Sequence, residues 1–514
     1  MTLAETGARY LIITPDTFIP IAQQLAQWKT AKGMLAKIVT TSEAGTDTNQ
    51  ILSYIRNAWN NWEIPPEYVL LLGAPEYIPS QNNYNDNYYG NMTGNYRIEI
   101  PVGRLPAHNP RECSTFITKI LAYENPPMDG DTVWFRKGTT IVREDVPPDS
   151  YYQKDAQILR GYWQQRNFLL AESLSNLYGD SSRQVDGAAH DGRIFITYRG
   201  NGVGTWYSPF NMVYPAGWQN GFKMPVVVSA TCATVTLSPG ESMYGDQFVR
   251  AGSPTTLGGA IAFFGTTRIG THLSRYRSAC YRGFFHALYE EGEYRLGPAT
   301  MRGRFWVDSI YGDSIRYLEW NLLGDPELNV WVDAPLHPVV QHDSVIPMVE
   351  QNLTITVLVA DTPFSGAQVC VSMDTTVYHY GQTDAHGRIT FTVTPQHPGT
   401  LQIVVSGKNL LPYIGSCEVI SRDVGCTAIL TPNGTVDSSS VIYPVVKLFN
   451  YGSRIETYEV YLTIGPDYAR VETVQFHQPN TDYEVVFSPL DCATAWQLAS
   501  CLFYPIDRRP KSGK

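Results

Sequence analysis

The 514-residue chain has no run of about 18 or more apolar residues, so it carries neither a membrane-spanning helix nor a secretory leader. It has no lysine- or arginine-rich block and a formal net charge of −10, which leaves nothing to neutralise a phosphate backbone. Nucleic acid is therefore excluded as a partner. Its eight cysteines show no CxxC or CxxH spacing, which excludes the common structural zinc sites. Charged residues are scarce at 17% while hydrophobic residues reach 43%, the composition of a folded chain and not of a disordered one.

What is abundant is tyrosine (33), proline (34) and glycine (42), a turn-rich usage frequent in extracellular proteins. The length predicts three or four domains at about 100 to 200 residues each. Cys417 and Cys426, and likewise Cys492 and Cys501, stand close enough in sequence to form local disulfides in an oxidising compartment. The opening Met1 to Arg9 runs almost directly into a strand, as expected where a leader or pro-segment is absent from this chain.

From Tyr10 the periodicity alternates between strand and helix. Strands are predicted at Tyr10 to Thr14, Ala36 to Val39, Tyr68 to Leu72, Thr139 to Arg143, Arg193 to Tyr198, Val226 to Ser229 and Gly259 to Phe264. Helices are predicted near 18–32, 49–62, 110–124, 151–166, 274–291 and 297–311, with polar turns between Gly73 and Pro106. That alternation implies a parallel sheet covered by helices. After about Pro335 the period becomes 2, as in Leu353 to Val359 and Leu401 to Val405, which predicts an all-β sandwich. The expected divisions are an α/β subdomain at 1–108, a second α/β subdomain at 109–334, an immunoglobulin-like sandwich at 335–420, and a second β module at 421–514 with a solvated tail.

Chemistry concentrates at the ends of three strands. The apolar run from Val226 stops in small residues with Cys232 at its tip, the place where a parallel sheet delivers a side chain to its ligand-binding edge. A thiol there is a candidate nucleophile, with backbone amides of Cys232 and Gly202 to hold an oxyanion; a buried structural cysteine is the alternative. The strand before it ends in Arg199-Gly200-Asn201-Gly202, which offers an amide where a base would make chemical sense. Glu144 and Asp145 follow a third strand and are candidates to orient a base, one of them inward, or else acids of a solvated turn. His272 lies in a loop after Phe264 that reaches the same edge, unless it is an ordinary surface histidine. Asp155 falls on the following helix, where the plain reading is a solvated face.

The segments Tyr10 to Trp28, Asp86 to Tyr89, Pro101 to Pro106, Tyr198 to Gly202, Ser229 to Cys232 and Leu323 to Pro326 together resemble the gingipain-type (C25) cysteine peptidases, over about residues 8 to 332 and in the family's order. The resemblance implies a caspase-like α/β fold of two subdomains followed by an immunoglobulin-like domain, in secreted bacterial enzymes made with a pro-segment. It places the nucleophile on Cys232, the catalytic histidine of a Gly-His-Gly motif on Asn201, and the assisting acid on Glu144 or Asp145. It also implies cleavage after a basic residue held by an acid, for which Asp155 is the nearest candidate, and admits structural calcium, although acidic turns such as Asp86 do not form a dedicated calcium loop. No cofactor is required, and no metal ligand is assigned.

Three readings follow. In the first the protein is a secreted or cell-surface cysteine endopeptidase acting on protein or peptide substrates. In the second it is a pseudopeptidase that binds peptides without turnover, because an amide cannot exchange a proton near neutral pH. In the third it is an adhesive surface protein, associated with the cell surface through its β modules.

Overall fold

The computed structural model describes residues 7–128, 130–433, 440–491 and 499–505. The expectations for the first six residues, for Cys492 and for the tail after 505 lie outside the described residues.

Strands β1 (Tyr10–Thr14), β2 (Ala36–Thr40), β3 (Tyr68–Leu72), β4 (Val102–Leu105), β5 (Lys137–Val142), β6 (Leu170–Ser175), β7 (Phe195–Val203), β8 (Val226–Cys232), β9 (Ala262–Thr266) and β10 (Trp320–Leu323) build one sheet in the order β2-β1-β3-β4-β10-β9-β8-β7-β5-β6. Helices α1 (Ile19–Ala31), α2 (Thr41–Ala44), α3 (Thr48–Asn61), α4 (Pro110–Glu124), α5 (Ser150–Gln165), α6 (Ser182–Asp191), α7 (Tyr244–Arg250), α8 (Ser274–Tyr289), α9 (Leu296–Tyr311) and α10 (Ser314–Leu318) connect them. The sheet consists of two parallel halves meeting at a seam, where β10 runs parallel to β4 and antiparallel to β9. The two α/β subdomains thus share continuous hydrogen bonding.

Local sequence accounts for the elements. Strands β1, β3 and β8 are buried along their whole length and read as unbroken apolar or small-residue runs, as strands covered on both faces must. Helix α3 starts at a capping box, with Asp47 Oδ1 accepting from the amides of Asn49 (2.8 Å) and Gln50 (2.9 Å). Helix α5 starts where Asp149 accepts from the Tyr151 amide at 2.8 Å.

Three strands differ from the sequence expectation, among them the seam strand β10, whose four residues are too few to show a period. Strand β4 lies in the stretch read as polar turns, because Val-Gly-Arg-Leu contains an arginine that is fully buried by pairing with Asp86. The edge strand β6, Leu-Ala-Glu-Ser-Leu-Ser, is mostly half-buried and lacks a continuous apolar signal.

Beyond residue 335 the described residues are all β. One sandwich packs the sheet containing Gln351–Val359 and Arg388–Val393 against the sheet containing Gln368–Met373, Gly399–Gly407 and Leu410–Ile420, around Leu353, Ile355, Val371 and Ile403. A separate core of Val446, Leu448, Val460 and Leu462 holds the last β-rich region. The expected Cys417–Cys426 disulfide is absent. Cys417 points into the sandwich core, Cys426 is exposed on a strand of the next region, and both are free thiols.

Candidate active site

In the second half of the sheet, chain order reverses at β5: β6 lies on one side, and β7, β8 and β9 follow on the other. Connections leaving neighbouring strands in opposite directions open a crevice at the carboxyl ends, and ligands bind there in open α/β sheets. The ends of β5, β7 and β8 carry Asp145, Asn201 and Cys232 to that edge.

Strand β7 arrives with a bulge. Arg199 pairs with Ala230 and Val203 with Cys232, so four steps on β7 face two on β8. The extra residues turn Asn201 out to solvent. Glycine is required beside it, since a Cβ on Gly202 would stand 2.4 Å from the Thr205 carbonyl oxygen. Tyr198 fixes the bulge by donating to the Asn201 carbonyl at 2.6 Å, and its ring stacks on Trp206 with centroids 4.6 Å apart. Trp206 Nε1 in turn donates to Ser229 Oγ of β8 at 3.0 Å.

Of the two acids after β5, Asp145 is the one that faces the bulge. Asn201 Nδ2 donates to Asp145 Oδ2 at 2.6 Å, while Arg143 pairs with the other carboxylate oxygen. Glu144 turns away: its amide donates to Asn176 Oδ1 at 2.7 Å, and its Oε2 is buried with no partner. Burial raises the Glu144 carboxyl above its ordinary value, opposed by a hydrogen bond from Gln153 and reinforced by Asp149 and Asp145.

Cys232 is 7% exposed. Its Sγ lies 3.5 Å from the Gly270 carbonyl oxygen and accepts from Arg277 Nη2 at 3.0 Å. The chain then turns sharply, with Ala233 in the left-handed region at φ 45° and its amide donating to Thr266 Oγ1 and the Arg268 carbonyl. Of the two oxyanion donors named from sequence, Cys232 ends β8 and Gly202 lies across from it in the bulge, its carbonyl accepting from Thr231 Oγ1 at 3.2 Å. His272 belongs to the loop that supplies Gly270, but its side chain is exposed and makes no hydrogen bond or ion pair among the described residues.

Asp155 is neither on a solvated face nor open to a substrate. It is fully buried, held by Arg199 Nε at 2.7 Å, Arg282 Nε at 2.6 Å and Ser278 Oγ at 2.7 Å. The acid braces the start of α8 against β7 and is neutralised by the chain's own arginines. A recess of about 500 Å³ instead opens beside the bulge. It is lined by Gly204, Met212, Tyr214, Met243, Tyr244 and other uncharged residues, and the Gly204 amide is bonded to the Ala233 carbonyl.

Two acidic groups are already answered by the chain's own cations. Both oxygens of Asp86 are taken by Arg104 at 2.6 and 2.7 Å. Among the described residues the three carboxylates close enough to share an ion are Glu124, Asp325 and Glu327, and Lys29 and Lys32 stand among them at 2.6 to 3.2 Å.

Sequence reasoning missed Arg277. Its signal was a cation on the buried stripe of α8 that continues through Cys280, Tyr281, Phe284 and Leu288, one helical turn apart.

The profile described as peptidase family C25 matches residues 3–331. The Lys-gingipain W83 of Porphyromonas gingivalis is 22% identical over 454 residues, covering 81% of this chain and 26% of the relative; this chain spans about a quarter of that protein's length. In three dimensions the fold resembles the crystal structure of the Arg specific cysteine proteinase gingipain R, with a TM-score of 0.73 at 18% identity, covering 81% of this chain and 98% of that one. A complex of Porphyromonas gingivalis pro- and mature gingipain domains gives the same TM-score and identity, covering 80% of this chain and all of the other.

Proposed function

The chain belongs to peptidase family C25, and from that premise we propose that it acts on peptides at the carboxyl edge of β5, β7 and β8, with the Cys232 sulfur attacking the scissile carbonyl. The observation that carries the reading is the alignment of Cys232, Asn201 and Asp145 on three neighbouring strand ends, with Asn201 already bonded to Asp145. A histidine in place of Asn201 would find its orienting acid there. The backbone amides of Gly202 and Cys232 are the proposed oxyanion donors.

Asn201 itself favours a second reading. A carboxamide neither takes the sulfur's proton nor returns one to a leaving amine, so the chain as it stands binds peptides and turns them over slowly or not at all. Export to the cell surface or the medium belongs to the same proposal, supported by the family membership and the two β-rich regions. No helix among the described residues is long and apolar enough to cross a membrane. With Asp155 bound to arginines, the uncharged recess beside Gly204 is the proposed receptor for a substrate side chain, which makes the preference apolar or aromatic and not basic.

A fluorogenic peptide library offered to this chain, Asn201→His and Cys232→Ala tests the reading. Cleavage by Asn201→His alone, at sites flanked by uncharged residues, is the expected result. If this chain cleaves too, the base comes from elsewhere, and His272→Ala is the next variant. If no form cleaves while all remain folded, the peptidase reading fails.

A further inference from the structure

Arg277 is 5% exposed, yet among the described residues no carboxylate lies within ion-pair distance of its guanidinium. Two buried arginines of this sheet are answered by acids. Arg104 pairs with Asp86 and Arg199 with Asp155. Arg304 has no acid either and leaves Nη2 unpartnered, but it donates to Trp320 O and Thr300 Oγ1 and covers the Phe264 ring. Arg277 makes one side-chain hydrogen bond, to Cys232 Sγ at 3.0 Å, and its Nε is buried without a partner.

A guanidinium taken out of water without a counter-charge is costly. Glu319 is the acid nearest in effect, but it makes no ion pair with Arg277: its Oε2 is bound to Arg316 at 2.6 Å, and its Oε1 is buried without a hydrogen-bond partner. The group in contact that is able to become an anion is the sulfur. The Gly270 carbonyl, at 3.5 Å, interacts with Sγ only while the thiol keeps its proton; Arg277, at 3.0 Å, binds the sulfur lone pairs and gains most when the proton is gone.

We propose that Arg277 is a catalytic residue that holds Cys232 as a thiolate without help from a histidine, so that the Asn201 form keeps a competent nucleophile while lacking a proton carrier. The proposal rests on the reading of Cys232 as the attacking group. Its consequence is a split by leaving group. With an activated ester the thiolate forms a C–S bond to the acyl carbon, the C–O bond breaks, and the phenolate leaves with its electron pair, needing no proton. With a peptide the departing nitrogen needs a proton that Asn201 does not hold. The thioester then persists, because no base at this position activates water.

The test is p-nitrophenyl acetate mixed with this chain and with Arg277→Lys, Arg277→Met and Cys232→Ala, each checked for folding by near-ultraviolet circular dichroism. The expected result is a burst of one phenolate per chain, with the acetyl group located on Cys232 by mass spectrometry. Arg277→Met slows the burst by on the order of tenfold to a hundredfold, the scale of one lost charge-assisted hydrogen bond. Arg277→Lys, which keeps the charge, retains most of the rate, and Cys232→Ala shows no burst. A burst equally fast in Arg277→Met overturns the proposal, as does its absence from this chain. Either result leaves the peptidase reading to be judged by peptide cleavage in Asn201→His. Should Arg277→Met not fold, Arg277→Lys with a burst no faster than that of denatured chain overturns the proposal alone.

Discussion

Chain order reverses twice in this sheet, at β1 in the first half and at β5 in the second, so the topology offers two crevices at strand carboxyl ends. In the first half the ends are filled from inside. Arg104 reaches from β4 to the Gly73 carbonyl beyond β3 at 2.8 Å, and its remaining donors meet Asp86 and Ser80. Thr14 Oγ1 closes onto the Leu72 carbonyl at 2.9 Å. In the second half the polar groups at the ends are left facing out or incompletely paired: Asn201 is exposed, Glu144 Oε2 and Arg277 Nε lack partners, and the sulfur of Cys232 contacts a cation. The same architecture serves stability where the charged groups are paired within the chain, and chemistry where some are not.

Substituting the two buried arginines breaks this comparison most directly. Arg104→Met leaves Asp86 buried with no counter-charge, and the expected loss is about 3 to 5 kcal/mol in urea denaturation. Arg277→Met breaks no ion pair, leaves Glu319 bound to Arg316 and fills the space with an apolar chain, so a loss below about 1 kcal/mol is expected. Equal losses would show that the two halves are braced alike.

A second prediction concerns Asp246, in the first turn of α7 beyond the Cys232 loop. Burial pushes its carboxyl up to about 6, against the lowering effects of the Met243 amide, Arg250 and His108. An unfolded aspartate titrates near 4, so between about pH 4 and 6 the folded chain holds the extra proton. The stability linked to that proton is therefore full below about pH 4 and is lost as the pH rises through 6. Asp246→Asn removes the dependence. Its advantage in thermal unfolding should be absent near pH 4 and reach about 3 kcal/mol above pH 7. A constant difference across that range would place the cause in packing and not in charge.

Much of this contrast was legible in the sequence, and the remainder was hidden for physical reasons. The three strand ends, Cys232, Asn201 and the Glu144/Asp145 pair were readable because buried parallel strands leave unbroken apolar runs that stop abruptly. Which acid faces Asn201 was not readable, since adjacent residues after a strand point opposite ways and register decides between them. Asp155 was misplaced because its partners Arg199 and Arg282 are 44 and 127 residues away in sequence, and nothing local announces a buried ion pair. Arg277 was overlooked although it interrupts an apolar helical stripe, a signal that now has a meaning: a cation on a buried stripe calls for an anion. Strand β4 was lost for the converse reason, because a buried arginine in a four-residue strand makes it look like a loop.

The smallest predicted effect sharpens the comparison at the open end. Asn201→Asp sets a second carboxylate against Asp145 where a donor stood at 2.6 Å, but Asn201 is exposed and Arg143 shares the site. Water and the arginine screen the repulsion, so the expected loss is about 1 kcal/mol at low salt, shrinking toward zero near 1 M, where charges are screened within about 3 Å. Adding Asp145→Asn should recover most of that loss, because the donor–acceptor pair is restored with its polarity reversed. The closed end behaves otherwise: exchanging charges between Arg104 and Asp86 meets no solvent, and salt should leave its penalty unchanged. If the Asn201→Asp loss proves large and insensitive to salt, the crevice of the second half is as dry as that of the first, and peptide access to Cys232 requires that edge to open.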